Sequence, residues 1–124
     1  MLVLVFIVLI LEWAGVFFGL FHSPSLAYDK ILHFLAGSTC GVFGIFLLKI
    51  GGGVRYCDLS RANRRILILA ILSALSIGVW WEILQTLLPA LRNTIDYDWN
   101  DTVGDVIFDT IGGVVAGLSY QTRK

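Results

Sequence analysis

Charge is scarce in this 124-residue chain: 15% of its residues are Asp, Glu, Lys or Arg, where a soluble domain of this size carries about a quarter. Nine basic and nine acidic residues cancel, so no net basic surface offers itself to nucleic acid. The two cysteines form no Cys-x-x-Cys pair and leave no thiolate zinc site. Cys40 falls inside an apolar run and Cys57 in a basic loop, so a disulfide between them is not expected. Both prolines, Pro24 and Pro89, stand at the ends of apolar runs and leave the runs themselves unbroken. No Ser/His/Asp or Cys/His arrangement marks a nucleophile. The run Gly51-Gly52-Gly53 lacks the Lys-Ser/Thr that completes a phosphate loop.

Apolar sequence is what the chain has instead. It is 57% hydrophobic with a mean hydropathy of +0.83, and the excess is gathered into long runs, the signature of a membrane protein. Four runs are expected to span: Leu2–Phe21, Ile31–Ile50, Arg65–Pro89 and Thr102–Tyr120. The first three offer close to 20 mostly apolar residues, enough for a bilayer core of about 30 Å. The fourth contains Asp105 and Asp109 and spans only if these are neutralised or face protein. The fold expected is all-α: a polytopic membrane protein, one domain over residues 1–124, forming a compact bundle of four transmembrane helices.

The first run is read as a retained helix and not a signal peptide, because no basic segment precedes it and Glu12 and Trp13 interrupt it. Glu12, near the bilayer middle, should face the bundle. Lys49, Arg55, Arg61, Arg64, Arg65, Arg123 and Lys124 are seven of the nine basic residues, leaving Lys30 and Arg92 for the other side. By the positive-inside rule both termini and the 51–64 loop are cytoplasmic. Asp29, Glu82, Asp96, Asp98, Asp101, Asp105 and Asp109 then fall at or near the external face of the cell membrane.

The acidic stretch from Asp98 to Asp109 organises the rest. Asp101, Asp105 and Asp109 stand four apart, so on a helix they climb one face, each step about 6 Å of rise. Carboxylates so close resist ionising together, so something cationic should sit among them or some should carry protons. Helix capping accounts for Asp98 or Asp101 and poorly for Asp109. On the second helix Asp29, His33, Gly37 and Gly41 repeat the spacing, and on the third Ala70, Ala74, Gly78 and Glu82 do so, with Gln85 following. Three helices thus each place acids or a histidine just beyond a seam of small residues. Small residues let backbones approach, so the polar groups above them must converge.

Taken in order, Asp29-Lys30-x-x-His33-Phe34, Glu82-x-x-Gln85 and Asp105-x3-Asp109-Thr-x-Gly112 resemble the VanZ-like small membrane proteins. Their pattern is Asp-Lys-x-x-His, Glu-x-x-Gln and Asp-x3-Asn-x-x-Gly. The match covers about two thirds of the chain, and the chain departs from it by placing Asp109 where Asn is usual and by adding Asp98 and Asp101. The resemblance implies a bundle of four or five helices and altered cell-surface behaviour, with no reaction attached. The acid spacing also invites comparison with CDP-alcohol phosphotransferases, but their Gly and Ala-Arg are missing.

Carboxylates in such a row hold Mg²⁺, Ca²⁺ or Mn²⁺ through oxygen, and Zn²⁺ joins the candidates. Asp101, Asp105 and Asp109 are the expected metal ligands, with Gln85 and Asp98 as further binding residues. His33, oriented by Asp29, and Glu82 are the candidate acid/base groups. Three functions remain open. The first is a binder of a divalent cation or lipid headgroup that modifies cell-surface properties. The second is a metal-dependent hydrolase or phosphatase acting on an envelope lipid. The third is a small structural subunit of a larger membrane complex. Membrane lipids are the expected partners, nucleic acid is not, and a homo-oligomer is compatible with all three.

Overall fold

The computed structural model describes residues 2–18, 27–51, 59–87 and 99–121. They form four helices: α1 (Leu2–Phe18), α2 (Ala27–Ile50), α3 (Leu59–Leu87) and α4 (Trp99–Gln121). No strand occurs among the described residues. Three stretches, Tyr28–Ile50, Ala62–Leu87 and Trp99–Gln121, are long and apolar enough to cross a membrane. The helix α1 is apolar but has 17 residues, about 26 Å at ~1.5 Å per residue, short of the ~30 Å hydrocarbon core. The described residues are therefore all-helical, with three candidate spans and a shorter N-terminal helix; residues 19–21 of the first expected run and 88–89 of the third lie outside them.

The other helices begin before their apolar runs do. Where hydropathy placed starts at 31, 65 and 102, they begin at Ala27, Leu59 and Trp99. Hydropathy marks the part of a helix that suits lipid, whereas the backbone ladder continues into polar sequence as long as its side chains find water or partners. In α2 the extra turn carries Asp29 in the helix's first turn, where the macrodipole favours it, and Lys30, which finds partners on α4. The condition set for the fourth span is met: Asp105 and Asp109 are buried against protein.

Helices α2, α3 and α4 pack on one another, and α1 rests on α2, where the Tyr28 hydroxyl donates to the Leu11 carbonyl. Contacts run in the same order along α2 and α4, from Lys30 on Asp101 to Gly41 beside Gly113 and Ala116, so these helices are parallel. Along α3 the order reverses: Gly78 meets Asp109, Ala74 meets Gly113, and Ala70 meets Gly117.

The interior is built largely from small residues, with Leu32, Ile45 and Ile66 as the large apolar side chains buried among them. Ala70 and Ala74 have no exposed surface. A Cβ on Gly37 would collide with the Asp109 backbone, and one on Gly112 would lie 2.6 Å from the Ser38 nitrogen; α2 and α4 touch backbone to backbone. Many large apolar side chains, among them Phe46, Leu72, Trp80, Ile107 and Ile111, point outward. That inverts the soluble arrangement and suits lipid, where helices associate through close van der Waals contact because burial from water is no longer the drive. Ser38, Thr39, Ser76, Thr86 and Thr110 each donate to the carbonyl four residues back. Their hydroxyls are thereby satisfied within their own helices.

Candidate functional site

Because α2 and α4 are parallel, their polar first turns meet at the same end of the bundle. The Lys30 ammonium donates to Asp101 Oδ1 at 2.7 Å and to the Asp101 carbonyl at 3.2 Å. It also donates to Asp105 Oδ1 and lies 3.5 Å from Asp29 Oδ2. Gly104 makes room for it: a Cβ there would come within 3.2 Å of Lys30 Cε. One turn deeper stands His33. Its Nδ1 is 3.0 Å from Asp109 Oδ2, while its Nε2 faces Asp105 Oδ2 at 3.6 Å and Asp29 Oδ1 at 4.0 Å.

The oxygens divide cleanly between the two bases. Lys30 takes Oδ1 of Asp105 and Oδ2 of Asp29; His33 Nε2 faces the remaining oxygen of each. At 3.6 and 4.0 Å those last two separations exceed a hydrogen bond. Asp29, His33 and Asp105 each bring a donor atom within 4.8 Å of the others, a group able to hold a metal ion. Side-chain exposure rises from 4% at Asp109 and 7% at Asp105 to 31% at Asp29 and 46% at Asp101. The network therefore opens at the start of α2 and α4 and closes toward the bundle interior.

The sequence-derived candidates fall into three sets. Asp29, His33, Asp101, Asp105 and Asp109 are gathered into one network. The row Asp101, Asp105, Asp109, expected to converge on one ion, does not meet at one point. Lys30 stands between the first two, and the third turns to His33. A helix row drifts by about 40° at each four-residue step, which lets successive carboxylates choose different partners. Glu82 and Gln85 are half-buried on α3, and Asp98 lies outside the described residues. The Glu12 side chain is likewise outside what is described.

Lys30 is the residue that sequence reasoning passed over. In the charge count it is only one of two basic residues on the minority side, although the clustered aspartates call for a cation or protons among them. Its position was legible, since it lies next to Asp29 and three before His33, on the face that carries both.

Beneath the network the seam holds the helices close. Gly78 on α3 abuts the Asp109 carboxylate, and Gly37 on α2 abuts the Asp109 backbone. At the opposite end Lys49 lies over the Tyr120 ring at 5.7 Å, Gln121 donates to the Asn63 carbonyl, and Arg64 and Arg65 are exposed. The bundle thus has an acidic, buried polar end and a basic, exposed one.

A family model described as Predicted membrane protein (DUF2238) matches residues 1–124. No curated protein and no solved structure matches the chain.

Proposed function

We propose that this chain, which belongs to the DUF2238 family of predicted membrane proteins, binds a divalent cation through Asp29, His33 and Asp105. The observation that carries the reading is the division of labour around His33. A carboxylate stands at Nδ1 and two carboxylate oxygens face Nε2; with the ring proton on Nδ1, where Asp109 would accept it, the Nε2 lone pair is left for an ion. Such carboxylate–histidine pairs are the usual support of metal-bound histidine. Two donors share an ion only when closer than twice the metal–ligand distance, about 4.2 Å for bonds of ~2.1 Å. The His33 pairs, at 3.6 and 4.0 Å, meet that limit as they stand.

Charge points the same way. Asp29, Asp101, Asp105 and Asp109 bring four carboxylates, against which Lys30 sets one permanent cation. A divalent ion beside a neutral His33 leaves a residual charge of about −1, far easier to bury than an uncompensated cluster. An imidazole with two carboxylates suits Zn²⁺ or Mn²⁺ better than Mg²⁺ or Ca²⁺, which favour all-oxygen shells. In this reading Asp109 positions His33, Lys30 fixes Asp29 and Asp105, and Asp101 neutralises Lys30.

The VanZ-like kinship is a further part of the proposal, supported by the three ordered motifs. So is an outward-facing site in the cell membrane, supported by the basic residues at the other end. Lys30 no longer counts against that orientation, since the aspartates neutralise it. A ligand set of three leaves positions on an ion open, which favours as a second reading a metal-dependent hydrolase of an envelope lipid headgroup.

The test is a melting series of the purified protein in detergent with Mn²⁺, Zn²⁺, Mg²⁺ and Ca²⁺. A bound ion at a hundredfold excess over its dissociation constant stabilises by about 2.7 kcal/mol. Asp29→Asn, His33→Gln and Asp105→Asn should each remove most of that gain, and Asp58→Asn should leave it. A parent protein whose melting ignores all four ions would end the metal reading. Lipid turnover lost on chelation would favour the hydrolase, and co-purification with larger subunits at fixed stoichiometry would favour a structural role.

A further inference from the structure

One buried polar atom stands outside the network just described. Among the described residues Glu82 Oε1 has no hydrogen-bond partner, although it is buried. A carboxylate oxygen removed from water with nothing to compensate it is costly, so a group of this kind asks for a proton or a cation. Its backbone is accounted for, since the Glu82 carbonyl accepts from the Thr86 hydroxyl. The side-chain oxygen Oε1 is left over.

The position of Glu82 is set by its helix. Gly78, one turn earlier on the same face, packs directly on the Asp109 carboxylate. Helix α3 runs antiparallel to α4, as the pairs Gly117 with Ala70, Gly113 with Ala74, and Asp109 with Gly78 establish. The next step of that register brings Glu82 level with Asp105, the turn of α4 on which His33 Nε2 and Lys30 also converge. The donors already described come from α2 and α4 alone, whereas Glu82 belongs to α3.

We infer that Glu82 is the α3 donor to the cation site, so that ion binding ties α3 to α2 and α4. The inference rests on the proposed cation site and adds to it a fourth protein donor, the Glu82 oxygen that has no partner without the ion. Imidazole with three carboxylates remains a set suited to Mn²⁺ or Zn²⁺. It also explains why this half-buried position carries an acid when the residues before it on the same face, Gly78, Ala74 and Ala70, are small and apolar.

Mn²⁺ titration of the purified full-length protein in detergent tests this, read by electron paramagnetic resonance for free ion and by hydrogen exchange for α3. Glu82→Gln keeps the shape and removes the charge. It should weaken Mn²⁺ affinity at least tenfold while leaving the metal-free melting temperature close to that of the parent. Mn²⁺ should slow exchange over residues 79–87 in the parent and not in Glu82→Gln. Should that variant fold poorly, Glu82→Asp supplies the same readout, because a shortened carboxylate keeps the charge and loses reach. Parent-like affinity together with parent-like protection of 79–87 in the variant overturns the role of Glu82 and leaves the three-donor site standing. A parent that binds no Mn²⁺ overturns both, and the two failures are thereby told apart.

Discussion

At the scale of single residues, Lys30 decides how the acidic row behaves. Its ammonium reaches Asp101, Asp105 and Asp29 from one position, and Asp105 is at least as buried as Lys30 itself. Removing one partner of a buried pair leaves a charge stranded and costs about 3–5 kcal/mol. Lys30→Met should therefore lower stability by that order, measured by denaturant unfolding in detergent micelles. Mn²⁺ should stabilise the variant more than the parent, because the stranded carboxylates then turn to the ion. A Lys30→Met protein as stable as the parent would show that the pairs carry no structural weight. Asp109 makes a second residue-level test. Supporting carboxylates beside metal-bound histidines are worth about 10–100-fold in affinity, so Asp109→Leu should weaken Mn²⁺ binding by that order. Asp109→Asn keeps an acceptor for His33 Nδ1 and should lose less. If Asp109→Asn instead abolishes binding as fully as Asp105→Asn does, Asp109 is itself a ligand.

At the scale of helices, the seam of small residues governs how closely the polar turns can meet. Asp109 sits in the tightest part of it, its backbone against Gly37 and its carboxylate against Gly78. A Cβ on Gly113 would come within 2.7 Å of the Ala74 Cβ and 2.9 Å of the Ala70 carbonyl. Side chains forced into such contacts cost about 1–3 kcal/mol and more where backbone must move. Gly37→Leu, Gly78→Leu and Gly113→Leu should each lower the melting temperature in detergent, whereas Leu72→Ile, on an outward-facing residue, should be mild. Unchanged melting in all three glycine variants would mean that the seams are not helix contacts. Of the three, Gly78→Leu should also weaken Mn²⁺ binding most, since it displaces the carboxylate that positions His33.

At the scale of the whole molecule, the two ends of the bundle differ in kind. One gathers Lys49, Arg64 and Arg65 at its surface, and the other buries a lysine among aspartates. With Lys30 neutralised, the asymmetry that sets orientation grows stronger than a count of basic residues alone would make it. A cysteine at Asn93, in a background lacking Cys40 and Cys57, should react with an impermeant thiol reagent added outside cells, and one at Asn63 should not. The reverse pattern would turn the acidic end toward the cytoplasm. The short α1, which among the described residues rests on α2 alone, is the element whose removal should disturb the site least. A chain beginning at Ser23 should keep its Mn²⁺-induced stabilisation to within about 1 kcal/mol, because none of the proposed donors Asp29, His33, Glu82 and Asp105 lies on α1 and distant parts contribute nearly additively.

The helical class, the apolar spans and the spacing that puts acids and small residues on common faces could all be read from the order of residues. These depend on composition and on the 3.6-residue period, which are local properties of the chain. The sequence also required a cation or protons among the aspartates, since clustered carboxylates repel wherever they are held. Which cation, and which carboxylate it meets, only the tertiary structure decided. Those choices depend on the parallel course of α2 and α4, which brings Lys30 to Asp101 across 71 positions of sequence and turns Asp109 from the acidic row to His33. Helix period fixes the face a side chain occupies. The partner on the other helix is fixed by register, and register is set where Gly37 and Gly112 let two backbones touch.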